Sequence, residues 1–310
     1  MSFLYYKAIN WNETHDTLDQ YTWEKLTNNF WLDIRVPVQE DRQFWETLSG
    51  ESQARIGKLL ASASLNTALQ SEIGAASLRT GIQTQQEEAV LNVTTFMESV
   101  HTKAVTTIYR ALISSEQAAN FYKFADDQPL LAQKLAPFER IFAAGDDLQK
   151  KAAFIFLETA LTFGHYAPIL MEAQLPQTNQ MIQNMLQGSA IFTAYLGYKF
   201  QQAFKELPTE AKTEFTTWLE DFTANAMLTE TQFFEAELGE AAASSTNIMA
   251  YGANYALDSL GFKRQFSEEL PIQIKQYLAG LLITTEQLAQ QAQTIQSSQL
   301  ETMANDDYDF

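Results

Sequence analysis

The feature that most constrains this chain is a nearly unbroken succession of long segments with helical periodicity. Gly and Pro number only 12 and 7 in 310 residues, and they fall mainly between these segments. Ala, Leu, Gln and Glu dominate the segments and favour helix. The first 50 residues are predicted to be irregular, with short helices near 22–29 and 40–48. The pattern predicts one all-α domain built as a helical bundle, with long helices at roughly 52–73, 85–113, 116–125, 128–142, 147–172, 178–204, 208–236, 241–260 and 281–299.

Composition excludes several kinds of chemistry. The chain contains no Cys, which excludes disulfides, thiolate metal sites and cysteine nucleophiles. A formal net charge of −18 repels nucleic acid phosphates. No run reaches the roughly 18 apolar residues of a membrane helix, and the N-terminus has no signal-peptide pattern. We therefore expect a cytoplasmic protein without nucleic-acid or membrane partners.

One stretch, FMESVHTKAV at 96–105, has the pattern of half a metal site. Glu98 and His101 stand three residues apart and so share one helix face. The same face continues with Val105 and Ile108, so the two ionisable groups interrupt an apolar stripe. Burying them requires a metal, a charge partner or hydrogen bonds. Helical bundles build metal sites from such pairs, although a surface Glu beside a satisfied His is the alternative.

Three other helices were considered as sources of further ligands. Glu158 is a carboxylate in an apolar face, and His165 follows it by two turns, roughly 10 Å along the axis. At that distance His165 is expected to be a polar residue near the helix end rather than a ligand. The other two inward stripes offer Ser189 with Phe192, and Thr67, which are poor ligands for a hard divalent metal.

Several motifs together resemble a known family. The chain resembles the radical-generating small subunit of class Ib ribonucleotide reductase, a ferritin-like protein. The motifs that carry the resemblance are AINWN (8–12), NNFWLDIRVPV (28–38), EEAVLNVTTFMESVH (87–101), LQKKAAFIFLET (148–159), YLGYKFQ (195–201), NYALDSLGF (254–262) and the terminal DDYDF.

The resemblance implies a fold and an activity. It implies a ferritin-like bundle that holds two iron or manganese ions between four helices and forms a tyrosyl radical. The radical is relayed to a large subunit that reduces ribonucleoside diphosphates for deoxyribonucleotide synthesis. The family's metal ligands are one Asp, three Glu and two His. Glu98 and His101 match the first Glu-x-x-His pair, and Glu158 matches the lone Glu.

Half of the implied site is missing. Thr67 stands at the Asp position in LNTALQ, and Ser189 and Phe192 stand at the second Glu-x-x-His pair in GSAIF. Val105 occupies the position of the radical tyrosine. The family's buried Trp is retained as Trp31, whereas its acidic relay residue corresponds to Gly188.

These departures lead to an expected role and two alternatives. We expect a metal-free, radical-incompetent structural or regulatory partner, present as a homodimer or as a heterodimer with another small subunit. Residues 1–300 are predicted to form the bundle, and 301–310 an acidic tail that docks on the large subunit through Tyr308 and Phe310. The first alternative is an active subunit with a substitute radical at Tyr109, Tyr195 or Tyr198. The second is a mononuclear metal oxidase that uses Glu98, His101 and Glu158.

Overall fold

The computed structural model describes residues 8–172 and 174–301 and confirms the all-α prediction. Of the described residues, 83% are helical and none lies in a strand. The helices are α1 (Thr17–Asn28), α2 (Arg42–Trp45), α3 (Gly50–Leu69), α4 (Ala75–Leu78), α5 (Gln85–Leu112), α6 (Ser115–Asp127), α7 (Pro129–Ala144), α8 (Asp147–Phe156), α9 (Phe163–Glu172), α10 (Pro176–Lys205), α11 (Thr209–Leu238), α12 (Ala242–Leu260), α13 (Ile272–Ala279) and α14 (Thr285–Glu301).

Local sequence accounts for most of the helix boundaries. Ser114 and Asp146 each form a capping box, in which the side chain accepts a hydrogen bond from the third residue of the helix. Gly261 adopts a left-handed conformation with φ of 80° and ends α12. Two elements differ from the prediction: α1 begins at Thr17, where Asp16 caps it, and the short α13 was not anticipated.

Two helices of the core contain π-helical turns. Residues 70–74 continue α3 into α4, and residues 157–162 continue α8 into α9. Each π turn adds a residue to the turn and so changes which side chains face the core after it. The second π turn contains Glu158. The helices α3, α5, α8–α9 and α10 pack around this point, and α12 packs against α9 and the second π turn.

The helix formed by α8 and α9 also has the length and composition of a membrane span. Within Asp147–Met171, an 18-residue window has a mean hydropathy of 1.3, and 94% of that window is buried inside the protein. The central position of this helix in the bundle accounts for its apolar composition.

Candidate metal centre

The structure brings Glu98, His101 and Glu158 together. Helix α5 presents Glu98 and His101 one turn apart, and the π turn between α8 and α9 presents Glu158. One ligand atom from each residue lies within 4.8 Å of the others. All three side chains are buried. We call these three residues the Glu98 cluster.

The polar atoms of the Glu98 cluster are poorly satisfied. Nδ1 of His101 is 3.7 Å from Oε2 of Glu98, which is too long for a hydrogen bond. Glu98 Oε2, Glu158 Oε2 and His101 Nε2 have no hydrogen-bond partner among the described residues. Such buried polar atoms are costly to leave unpaired. The described protein atoms therefore leave three polar atoms of the Glu98 cluster without a hydrogen-bond partner.

Burial sets the protonation of the Glu98 cluster. It raises the pKa of Glu98 to about 8. Burial and the charge of Glu98 raise the pKa of Glu158 to about 8, against the opposing effects of His101, Ser189 and Gln70. Burial lowers the pKa of His101 to about 4, although Glu158 acts in the other direction. Without a cation, the three groups are therefore neutral at pH 7.

The positions at which the resemblance leads us to expect the other ligands are filled by compact or apolar side chains. Thr67 is fully buried, and its hydroxyl donates to the carbonyl of Ser64 in its own helix at 3.1 Å. The Phe192 ring packs edge-on against Phe154, with centroids 5.5 Å apart. Val105 is fully buried in the core. None of these side chains supplies a carboxylate or an imidazole.

A small cavity lies beside the cluster. It has a volume of about 20 Å³ and is lined in part by Trp31, Glu98, His101, Gly188 and Ser189. The Trp31 indole stacks on the His101 ring with centroids 5.9 Å apart, and its Nε1 has no partner in the described part of the chain. A cavity of this size holds one water molecule or one ion. Trp31 and His101 are thus in contact, and Gly188, which the resemblance aligns with an acidic relay residue, lines the same cavity.

The donor set matches one metal ion and not two. Two carboxylates and one imidazole, each with an unpartnered atom, are suitable ligands for a single divalent ion such as Mn²⁺ or Fe²⁺. The cavity wall at Ser189 and Phe192 offers only a hydroxyl and a phenyl ring. These groups cannot balance the charge of a second divalent ion in a buried site.

The three tyrosines considered as substitute radical sites have other surroundings. The Tyr109 hydroxyl donates to the carbonyl of Gly57 at 2.6 Å, and the Tyr195 hydroxyl donates to Asp19 at 2.8 Å. Tyr198 lies on the wall of an open cleft at one end of the bundle. A substitute radical at any of the three remains a prediction.

Sequence reasoning missed a fourth tyrosine, Tyr166 on α9. This residue is buried, and its hydroxyl has no partner among the residues described. Burial, followed by the charges of Glu158 and Glu98, raises its pKa far above the usual range. The carboxylates of the Glu98 cluster therefore contribute to the raised pKa of Tyr166.

A second buried group of charges was also missed, and it includes His165. His165 lies outside the Glu98 cluster, as expected, but it is not near the helix end: it lies seven residues before the end of α9, and its side chain is fully buried. Its Nε2 contacts Glu230 Oε1 on α11, and Lys134 Nζ on α7 lies 2.8 Å from Glu230 Oε2. We call Lys134, His165 and Glu230 the Glu230 cluster. The available signal was a charged residue within the apolar stripes of α7 and α11.

The Glu230 cluster satisfies its own charge. Burial alone would raise the pKa of Glu230, but the charges of Lys134 and His165 outweigh it and hold the value at about 2. Burial lowers the pKa of Lys134 and of His165, although Glu230 opposes both changes. The carboxylate is therefore ionised beside an internal ammonium group.

The proposed docking residues Tyr308 and Phe310 lie outside the described residues.

Comparison with known proteins gives a consistent result. The family model described as ribonucleotide reductase, small chain, matches residues 8–273. The chain is 30% identical over 268 residues to ribonucleoside-diphosphate reductase 2 subunit beta of Escherichia coli (strain K12), covering 85% of this chain and 84% of that protein.

Solved structures extend this likeness to the fold. The dimanganese(II)-NrdF of Streptococcus sanguinis has a TM-score of 0.82 and 34% identity, covering 85% of this chain and 95% of that one. The Rnr4 homodimer of Saccharomyces cerevisiae has a TM-score of 0.69 at 15% identity, covering 88% and 90%, and supports the fold alone.

Proposed function

Because this chain belongs to the ribonucleotide reductase small-chain family, we propose that it serves a ribonucleoside-diphosphate reductase as a partner subunit without the two-metal radical centre. It would contribute structure or regulation, and the usual radical would come from another source. A cytoplasmic location and the lack of nucleic-acid partners are part of this proposal. The net charge of −18 supports the second of these.

The observation that carries the proposal is the composition of the core around the Glu98 cluster. By the resemblance, Thr67, Ser189 and Phe192 stand at the positions of three metal ligands, and Val105 stands at that of the radical tyrosine. All four are buried, so the core is packed around these replacements. A valine side chain has no group that can form a stable phenoxyl radical.

Metal counting and spin resonance test this proposal together. The purified chain would be loaded aerobically with Fe(II) or Mn(II), and bound metal would be counted per chain. We expect no more than one ion and no organic radical in the electron spin resonance spectrum. The Streptococcus sanguinis protein, solved as a dimanganese(II) form, is the positive control. Two ions per chain, or a tyrosyl radical, would refute the proposal.

The partner part of the proposal rests on the acidic tail. Residues 301–310 place Tyr308 and Phe310 among acidic residues, and aromatic anchors dominate binding in many interfaces. A synthetic 301–310 peptide should bind a class Ib large subunit. The matched control replaces Tyr308 and Phe310 by Ala and should bind much more weakly. Equal binding of both peptides would remove the tail as a specific docking segment.

A mononuclear metal oxidase is the second candidate. The unpartnered atoms of Glu98, His101 and Glu158 favour it, because they converge on one ion-sized site. A bound iron or manganese ion would supply one-electron redox chemistry. The protein would hold the ion with these three residues, and Trp31 would keep water from one side of His101 by stacking on it. Oxygen consumption that requires metal and disappears in Glu158→Gln would support this candidate.

An active small subunit with an unusual radical site is the third candidate. Tyr166 favours this candidate, because its hydroxyl has no partner among the described residues and Glu158 and Glu98 raise its pKa. A radical signal in protein from the native host that is lost in Tyr166→Phe would favour this candidate. Absence of any signal in the host protein would leave the partner role as the better explanation.

A further inference from the structure

A groove between α7 and α11 shares no residue with the Glu98 cluster. Its volume is about 620 Å³, which is within the range of small-molecule pockets. We call it the α7–α11 groove. The wall residues that matter most are Pro137 and Arg140 from α7, and Trp218, Asp221, Phe222 and Ala226 from α11.

Two contacts show how the helices on either side of the groove face each other. Lys134 Nζ on α7 lies 2.8 Å from Glu230 Oε2 on α11. The rings of Phe138 and Phe222 meet edge to face, with centroids 5.0 Å apart. The chain advances four residues along α7 while it goes back eight along α11, so the two helices are antiparallel.

Small side chains keep the groove open between these two contacts. Pro137 on α7 and Ala226 on α11 both line it, and neither side chain is long enough to fill the space between the helices. Pro137 lies inside α7 and has no amide hydrogen, so the carbonyl of Gln133 lacks its helical donor. Gln133 lines the same groove.

Two opposite charges flank this space, one from each helix. Arg140 follows Phe138 by two residues and Asp221 adjoins Phe222, so both lie at the level of the contact between the two rings. Both side chains are exposed and line the groove. Nε of Arg140 donates to the carbonyl of Ala136 at 3.2 Å, and neither charge forms an ion pair with any of the described residues. The groove therefore separates a cation from an anion without neutralising them.

The wall beside these charges is aromatic. Trp218 stacks on Phe222 with centroids 5.2 Å apart and an interplanar angle of 5°. Lys134 also lines the groove, but its ammonium group is paired inward with Glu230. Arg140 is therefore the cation that remains available to a ligand. A mainly apolar wall with a few convergent polar groups is typical of a small-molecule site.

These groups together favour a ligand that carries both charges and a ring. A carboxylate would pair with the guanidinium fork of Arg140, an ammonium group would pair with Asp221, and a ring would pack on Trp218 and Phe222. A nucleotide or another polyanion would be repelled by Asp221 and by the net charge of −18. A simple amine would leave Arg140 unmatched.

We propose that the α7–α11 groove binds a free aromatic amino acid. Its carboxylate contacts Arg140, its ammonium group contacts Asp221, and its ring packs against Trp218 and Phe222. The proposal goes beyond the proposed function and is independent of it, because the groove contains no residue of the Glu98 cluster or of the segment 301–310.

Isothermal titration calorimetry of the metal-free full chain provides the first test. The ligands are L-phenylalanine, L-tyrosine and L-tryptophan. Two analogues of L-phenylalanine are matched controls, since 3-phenylpropionate lacks the ammonium group and phenethylamine lacks the carboxylate. We expect one site per chain and binding about tenfold weaker for each analogue, because each loses a charged hydrogen-bond partner. No binding of any of the three amino acids at millimolar concentrations, or equal binding of either analogue, overturns the proposal.

Variants of the two charged residues locate the site. Arg140→Gln and Asp221→Asn should each weaken binding about tenfold, and both should fold because the side chains are exposed. Glu220→Gln is the matched control, because Glu220 is exposed beside Asp221 on α11 and is not a wall residue of the groove. Its binding should equal that of the wild type. Unaltered binding in Arg140→Gln and Asp221→Asn overturns the proposal.

Tryptophan fluorescence provides a readout from the groove itself. L-phenylalanine should change the tryptophan emission of the wild type, because its ring packs against Trp218. Trp218→Phe keeps an aromatic wall, so it should bind in the calorimeter but lose the change in emission. An emission change that persists in Trp218→Phe would place the ligand elsewhere and overturn the proposal. None of these measurements involves metal or a large subunit, so their failure is distinct from failure of the proposed function.

Discussion

The Glu98 cluster and the Glu230 cluster contain similar groups in opposite electrostatic states. Both combine carboxylate and imidazole in a fully buried setting between helices. In the Glu230 cluster, the ammonium group of Lys134 lies 2.8 Å from the carboxylate and supplies the missing positive charge. In the Glu98 cluster, no cationic side chain among the described residues takes that place, and burial raises the pKa of both carboxyl groups.

This difference shows what distinguishes a structural ion pair from a potential metal site. An internal cation keeps Glu230 ionised, with a pKa of about 2, and balances its negative charge. Two carboxyl groups without a cation have pKa values of about 8 and remain protonated at neutral pH. A divalent ion would therefore stabilise the Glu98 cluster but not the Glu230 cluster.

The largest expected effect is the loss of the ionised carboxylate from the Glu230 cluster. Glu230→Gln leaves the buried Lys134 ammonium without its counter-charge, and breaking a buried pair on one side costs about 3–5 kcal/mol. Urea unfolding of the metal-free protein measures this loss. As a control, the triple variant Lys134→Met, His165→Phe, Glu230→Leu removes all three ionisable groups and should recover most of the stability. A loss below about 1 kcal/mol for Glu230→Gln would show that the pair is not effectively buried.

The same cluster should make the protein sensitive to acid. The pKa of Glu230 falls from 4.5 to about 2 on folding, so its contribution to stability is present above pH 4.5 and is lost as the pH falls towards 2. The shift corresponds to a contribution on the order of 3 kcal/mol.

Burial also lowers the pKa of His165 on folding, although the charge of Glu230 opposes this change. Protonation of the unfolded chain therefore removes further stability as the pH falls below the ordinary value of 6.5. Unfolding free energies measured from pH 7 to pH 3 should decline more steeply in the wild type than in the uncharged triple variant. Parallel curves for the two proteins would contradict this assignment.

A cation should stabilise only the Glu98 cluster. If Mn²⁺ binds Glu98, His101 and Glu158, a concentration of 100 times its dissociation constant raises the free energy of unfolding by about 2.7 kcal/mol. Thermal unfolding with and without Mn²⁺ measures the effect. Glu98→Gln should abolish it, while Glu87→Gln, at another buried carboxylate of α5, should retain it. Equal stabilisation of both variants would place the ion elsewhere.

The sequence predicts the Glu98 cluster better than the Glu230 cluster for a geometric reason. Glu98 and His101 are one turn apart on a regular helix, so their spacing places them together. Lys134, His165 and Glu230 lie on α7, α9 and α11, and their meeting depends on how three helices pack. No local spacing encodes that packing.

The π turn explains why Tyr166, and not His165, lies near Glu158. A regular helical wheel drawn from Glu158 places His165 on the same face as the carboxylate. The π-helical residues 157–162 change the phase of the helix. As a result, His165 contacts Glu230, and Tyr166 is the residue whose pKa responds to Glu158. Long helices were predictable from periodicity, whereas this local irregularity was not.

The smallest expected effect is the most direct test of the contrast between the clusters. Glu158→Gln in metal-free protein at pH 7 replaces a protonated carboxyl group by an amide of nearly the same shape. Because the pKa of Glu158 is about 8, no buried charge is removed, and stability should change by less than about 1 kcal/mol. The identical substitution at Glu230 is expected to cost several times more. If the two substitutions were equally costly in urea unfolding, Glu158 would have to be ionised in the metal-free protein, and an internal cation would have to balance it as Lys134 balances Glu230.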